Sequence, residues 1–280
     1  MMALTERELM VFQEISDWEE KLFTQKAGNI QAFYDKWLDQ GFSMLPSSAR
    51  EQFFSKFDSW LFHLNAIIQG SQIQSDARDS ILTTGRIFNP EIAVLEDMKR
   101  LSIDQLIYIA DQQIAKHRLY SFTQGGISGT GEVLLLGSDI PAIAFINVRL
   151  VQLIAMVYGY EVNTPVELMI ALKAFHGGTM PKRMQKEMWQ ELLLDIEGDD
   201  PFFYQGKEEL TNISWLEQPA RQMFKAAAIA LFRKRLIKGI PLISMVIGGA
   251  SNYRLTRNVS EFAHHFYQYR YLKEKKEYER

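Results

Sequence analysis

Five times along the chain a Ser or Thr is followed three residues later by Glu or Gln at the head of a segment with helical apolar spacing: Thr5/Glu8, Ser48/Glu51, Ser102/Gln105, Thr164/Glu167 and Ser214/Glu217. Such a pair satisfies two orphan amide groups at a helix amino end reciprocally, so each one marks a helix start. At Thr164 the signal is reinforced by Pro165, whose missing N–H costs nothing in the first helical position. After Ser102 the apolar residues Ile103, Ile107, Ala110 and Ile114 recur at three and four residues, tracing one face of a helix. Phe53, Phe57, Trp60, Leu61 and Leu64 do the same. No stretch alternates β-branched residues with a period of two between hairpin turns. The chain therefore reads as all-α, a multi-helix bundle with glycine-rich apolar turns between core helices. Helices are expected near 5–25, 29–41, 48–69, 75–85, 102–123, 139–159, 165–175, 180–196, 214–238 and 252–275.

Residues 70–101 are polar and interrupted by Gly85 and Pro90, which makes them the best place for a junction. An amino-terminal helical segment, 1–85, would precede a helical domain, 86–280, within one continuous helical body. Between Asp139 and Glu161 the only charge is Arg149, so this helix is apolar nearly all round and belongs at the centre of a core. A guanidinium there must find a partner. Asp139 is about 15 Å away along the same helix, too far to pair. Asp111 on the preceding helix is the expected partner in a buried ion pair, with an anion-binding or catalytic role for Arg149 as the alternative.

Composition removes several chemistries. With no cysteine there are no disulfides, thiolate metal sites or thiol nucleophiles, which suits a reducing compartment. The segment 125–131 contains Gly125, Gly126, Gly129 and Gly131, but Glu132 and Val133 follow where a P-loop needs Lys and Ser or Thr. It reads as a turn or a close helix approach. Gly248 and Gly249, after an apolar run from Gly239, read as the cap of a short helix. His63, His117, His176, His264 and His265 form no metal-binding spacing. Asp195, Glu197 and Asp199 resemble the start of a calcium loop, yet Asp200 and Gly206 occupy its sixth and twelfth positions, where Gly and Glu are required. No catalytic residue, metal or cofactor is assigned.

The net charge, 31 Lys and Arg against 34 Asp and Glu, argues against a general nucleic-acid binder. Its distribution says more. Glu187 to Glu217 holds nine carboxylates and one lysine, a net of −8, whereas Gln218 to Ser260 holds no acid and Arg221, Lys225, Arg233, Lys234, Arg235, Lys238, Arg254 and Arg257, a net of +8. Interleaved with Phe224, Leu231, Phe232, Leu236 and Ile237, the basic residues up to Lys238 make a cationic amphipathic helix suited to an anionic membrane surface. The uncharged stretches 119–131 and 239–253 are 13 and 15 residues long, short of the roughly 20 needed to span a bilayer. The acidic first 20 residues lack the pattern of a secretory signal. Together these predict a cytoplasmic protein, peripheral on the inner face of the membrane.

Four short motifs occur in order: His117-Arg118-Leu119-Tyr120-Ser121-Phe122-Thr123-Gln124-Gly125-Gly126, then Asp139-Ile140-Pro141-Ala142 followed by Arg149, then Tyr158-Gly159-Tyr160, and Ile247-Gly248-Gly249-Ala250-Ser251-Asn252. Over about residues 100–270 they resemble the EcsC family, named for a bacterial operon that also encodes an ABC transporter linked to secretion. The first 85 residues match nothing in it. The resemblance implies a non-enzymatic accessory protein that works beside ABC transporter subunits at the membrane. The alternative is an enzyme with a polar site around Asp111, His117, Arg118, Asp139 and Arg149.

Overall fold

The computed structural model describes residues 4–24, 67–128, 136–180, 182–197 and 241–277. It is all-α. In chain order the elements are α1 (Glu6–Thr24), α2 (Gln72–Phe88), a 3-10 turn (Leu95–Arg100), α3 (Ile103–Ser128), α4 (Leu136–Val157), α5 (Pro165–Thr179), α6 (Lys182–Glu197) and α7 (Pro241–Glu277). No strand occurs among the described residues. The helices expected at 29–41, at 214–238 and over most of 48–69 lie outside them.

The written starts do their work locally. Thr5 and Glu8 make both bonds of the reciprocal cap, and Ser102 and Gln105 do the same at α3. At α5 only half of the box forms: the Thr164 hydroxyl accepts from the Glu167 amide, while the Glu167 carboxylate turns away to Arg270. A further cap, Ser71, accepts from the amide of Gln74 at the head of α2. The other end of α4 is closed by Tyr158-Gly159-Tyr160. Gly159, at φ 84°, donates to the Met156 carbonyl, and Tyr160 donates to that of Ala155. This left-handed glycine cap satisfies two orphan carbonyls and needs a residue without Cβ.

α4 is the hub. Leu150, Val151, Leu153, Ile154, Ala155 and Val157 are completely buried, as its all-round apolar sequence predicts. It packs against α3, α5 and α7, and α7 also runs along α3 and α5. A second layer of the core is aromatic: Trp189 of α6 meets Phe262 and Phe266 of α7 edge-on, and Trp18 brings α1 onto both helices. Fully burying side chains of this size contributes roughly 1.5–3 kcal/mol each. Val11, Ile15, Ile81, Leu95 and Met98 join the same hydrophobic cluster.

Two expectations change. Gly85 does not break the chain but lies buried within α2, against Met98 and Ile92. Gly125 and Gly126 lie inside α3, and Gly248 and Gly249 inside α7, so continuous helix replaces the expected turn at all four. A glycine costs a helix about 1 kcal/mol, but adding residues to an established helix is easy compared with nucleating one. α7, anchored over its length from Thr256 by packing, extends through both glycines. Gly129 and Gly131 lie outside the described residues. Among the described residues no helix is long and apolar enough to cross a membrane.

Candidate functional site

Of the five residues of the polar site expected from sequence, the four whose side chains are described do not converge. α3 packs against both α4 and α7, and its polar side chains divide between the two. On the α4 side His117, 2% exposed, places Nδ1 2.8 Å from the Gln113 carbonyl and Nε2 3.2 Å from Nη1 of Arg149. Arg149 Nη2 donates to the carbonyl of Ile73 at 3.1 Å. Arg149 therefore does not pair with Asp111. It is held by a neutral acceptor and a carbonyl, because α3 turns Asp111 toward the opposite neighbour. Desolvation lowers the His117 pKa to about 4, with the nearby Arg149 charge adding to the effect.

On the α7 side Arg118 donates through Nε and Nη2 to the Ser260 hydroxyl. Asp111 lies 3.9 Å from Nδ1 of His264, whose Nε2 is 2.8 Å from the hydroxyl of Tyr158. Burial holds the Tyr158 phenol protonated and pushes His264 down to about 3, so the phenol donates to a neutral imidazole. The phenol is inaccessible to a substrate, since Tyr158 is 0% exposed. Asp139 lies on the first turns of α4, and its side chain is outside the described residues. These groups bridge packed helices. Among the described residues no group of three or more His, Asp or Glu side chains is placed to hold a metal ion.

Elsewhere, charges inside the bundle are neutralised. Arg270 forms a two-pronged bond with Glu167 at 2.7 and 2.6 Å and also reaches Glu274. Lys99 meets Glu274 at 2.7 Å, and the two cations cover the Tyr160 ring at 4.0 and 4.3 Å. Lys173 lies between Glu191 and Asp195, and Lys275 reaches the buried Glu8.

A different region breaks that pattern. Where the end of α1, the start of α6 and the middle of α7 meet, a cleft of about 610 Å³ is lined by Trp18, Lys21, Leu22, Lys182, Tyr253, Arg254, Arg257, Asn258 and Glu261. Among the described residues of the lining, four cations face one acid. That acid is already engaged: Glu261 accepts from Trp18 Nε1 at 3.1 Å and lies 3.6 Å from Lys182. Trp18 is fixed in turn by stacking on His265 at 4.4 Å, nearly parallel. Lys21, Arg254 and Arg257 form no ion pair with a carboxylate of the described residues, and all three are exposed. Arg254, Arg257, Asn258 and Glu261 occupy successive turns on one face of α7. Chemically this is a place for an anion.

Arg254 and Arg257 belong to the +8 segment of the sequence. Its other six residues, Arg221, Lys225, Arg233, Lys234, Arg235 and Lys238, lie outside the described residues. Sequence reasoning missed Trp18, Lys21 and Lys182 as parts of this surface. The available signal was the i, i+3 pair Trp18/Lys21 on a helix otherwise rich in acids.

A model of the EcsC protein family matches residues 10–272. The chain belongs to that family. The match reaches back through α1, well beyond the segment on which the sequence motifs rest. The chain is 25% identical over 272 residues to uncharacterized protein YdbA of Bacillus subtilis (strain 168), covering 96% of this chain and 94% of the relative. It is 21% identical over 185 residues to protein EcsC of the same organism, covering 65% of this chain and 71% of that protein. No solved structure matches.

Residues of the four sequence motifs have physical roles in this fold. Tyr158-Gly159-Tyr160 is the left-handed stop of the hub helix, and His117 and Arg149 are one interhelical contact. Of the four motifs, three include residues that tie helices together.

Proposed function

We propose that this EcsC-family protein is a non-enzymatic accessory factor that docks at the cytoplasmic face of the membrane, beside an ABC transporter or secretion system. The observation that carries the reading is the cleft between α1, α6 and α7, whose described residues include four cations and a single, already engaged carboxylate. Exposed cations without carboxylate partners attract an anionic leaflet, each contributing about 1 kcal/mol near the surface. Arg254 and Arg257 belong to the same acid-free segment, Gln218 to Ser260, as the basic run Arg221–Lys238. The enzyme reading has less support, because the side chains described for it divide between two helix interfaces and His117 is buried. The transporter rests on the resemblance alone.

The test is flotation of the full chain with liposomes of neutral and anionic composition at low and high salt. The protein should float with anionic vesicles at low salt and lose them at high salt. Arg233→Glu, Lys234→Glu and Arg235→Glu together should abolish flotation while the circular dichroism spectrum stays helical. Absence of flotation on anionic vesicles at low salt sinks the reading.

A further inference from the structure

We infer that the cleft between α1, α6 and α7 is a binding site for a phosphomonoester. The inference rests on the reading of this face as the docking face and names the chemistry it selects.

Charge balance comes first. With Glu261 held by Trp18 and Lys182, the described residues of the lining carry a surplus of three cations, Lys21, Arg254 and Arg257, contributed by two different helices. Cations at several other helix contacts are met by carboxylates, as Lys99, Lys173, Arg270 and Lys275 show, whereas among the described residues no carboxylate pairs with these three. A phosphodiester brings one negative charge. A phosphomonoester brings about −1.5 to −2 near neutral pH, because its second ionisation lies at about pH 6. Adjacent cations favour the dianion further. The surplus therefore discriminates in favour of the monoester.

Geometry comes second. Arg254 and Arg257 are one turn apart on α7, so two planar guanidinium forks can approach the same phosphate, each with paired N–H donors. Lys21 enters from α1 and Lys182 from the first residue of α6. The side wall is not charged: Trp18, Leu22 and Tyr253 supply an apolar and aromatic surface. At about 610 Å³ the cleft is in the range of small-molecule sites and larger than a bare phosphate requires. It suits a phosphate that carries an organic group, either a free metabolite or the headgroup of a phosphatidic-acid-like lipid.

The two sources separate experimentally. Calorimetric titration of the full chain with glycerol 3-phosphate should show binding, weakened about tenfold or more in the double variant Arg254→Gln/Arg257→Gln, since both guanidinium forks that hold the phosphate are lost. Lys116→Gln removes an exposed cation on α3 away from the cleft and should leave affinity unchanged. No binding by the unaltered chain, undiminished binding by the double variant, or equal weakening by Lys116→Gln overturns the site. In parallel, flotation compares vesicles of phosphatidic acid with vesicles of phosphatidylglycerol at matched surface charge. Preference for phosphatidic acid, lost in the double variant, assigns a lipid headgroup; glycerol 3-phosphate binding without that preference assigns a soluble phosphomonoester. Flotation on both vesicle types with no glycerol 3-phosphate binding and no preference removes this inference and leaves membrane docking standing. Binding of glycerol 3-phosphate without flotation on either does the reverse.

Discussion

Arg149 donates through Nη1 to Nε2 of His117 at 3.2 Å, an interhelical bond between a guanidinium and a neutral imidazole. The tautomer follows from the surroundings. With Nδ1 2.8 Å from the Gln113 carbonyl, the ring proton belongs on Nδ1 and the lone pair on Nε2 faces the arginine. Among the described residues, this partly buried cation is thus accommodated without a carboxylate, by an imidazole on α3 and a backbone carbonyl.

That arrangement makes the two residues energetically coupled. His117→Phe leaves the Arg149 donor without its acceptor and should cost about 1–3 kcal/mol beyond any packing change. Arg149→Met removes donor and charge together. The double variant His117→Phe/Arg149→Met should be less destabilised than the sum of the singles by about 0.5–3 kcal/mol in urea unfolding. Strictly additive losses would show that the bond contributes nothing.

The same burial gives an acid-side pH dependence. The pKa of His117 is lowered to about 4, and those of His176 and His264 to about 3, from an ordinary value near 6.5, in each case chiefly by desolvation. Above that ordinary value both folded and unfolded chains hold these rings neutral, and the stability is fully present. As pH falls below it the unfolded chain takes up protons that the native chain refuses. Stability declines by up to about 1.4 kcal/mol per pH unit for each ring, until pH reaches the folded pKa. Urea midpoints measured from about pH 7.5 down to about pH 5 should fall. His117→Gln, which keeps an acceptor for Arg149 but cannot titrate, should fall less steeply; an unchanged slope would rule out His117 as a contributor.

The glycines at helix contacts should behave unequally. A Cβ on Gly178 of α5 would lie 2.5 Å from the Val259 Cα of α7, a backbone atom that moves only if the helices separate. A Cβ on Gly85 would meet Met98 Sδ at 2.6 Å, which a flexible thioether can vacate. Gly178→Ala should therefore cost about 1–3 kcal/mol. Gly85→Ala should be close to neutral, with the gain in helix propensity, about 1 kcal/mol, offsetting the repacking. Thermal unfolding of both variants checks the contrast, and equal effects would contradict it.

Helix starts were legible in the sequence wherever the signal was local. Thr5, Ser102 and Thr164 each cap the helix they announce, and the lone charge between Asp139 and Glu161 correctly marks α4 as the centre of the core. Glycines were read too literally: Gly125, Gly126, Gly248 and Gly249 sit in helices because propensity is a weak term beside tertiary packing. The partner of Arg149 was not legible, since rotation of α3 decides whether Asp111 or His117 meets α4. The cleft was half legible. Arg254 and Arg257 stood out in the +8 segment, but Trp18 and Glu261 are 243 residues apart, and no local pattern encodes their contact.

The ion pair that disrupts the α5 capping box should prove one of the stronger charges in the fold. Glu167 gives up the reciprocal bond to its own helix start and makes two bonds to Arg270, with side chains 18% and 11% exposed. Arg270 also stacks on Tyr160 and reaches Glu274, so the pair joins α5 and α7 next to the glycine stop of α4. Removing the acid leaves a largely buried guanidinium short of charge compensation. Glu167→Ala should cost about 3 kcal/mol, through the uncompensated cation and not through lost area. Asp104→Asn, which breaks the exposed pair with Arg7, should leave stability nearly unchanged, because solvent screens the pair. Urea unfolding of both variants is the measurement. Comparable losses at the two sites would mean that Arg270 is compensated by Glu274 and Tyr160 alone.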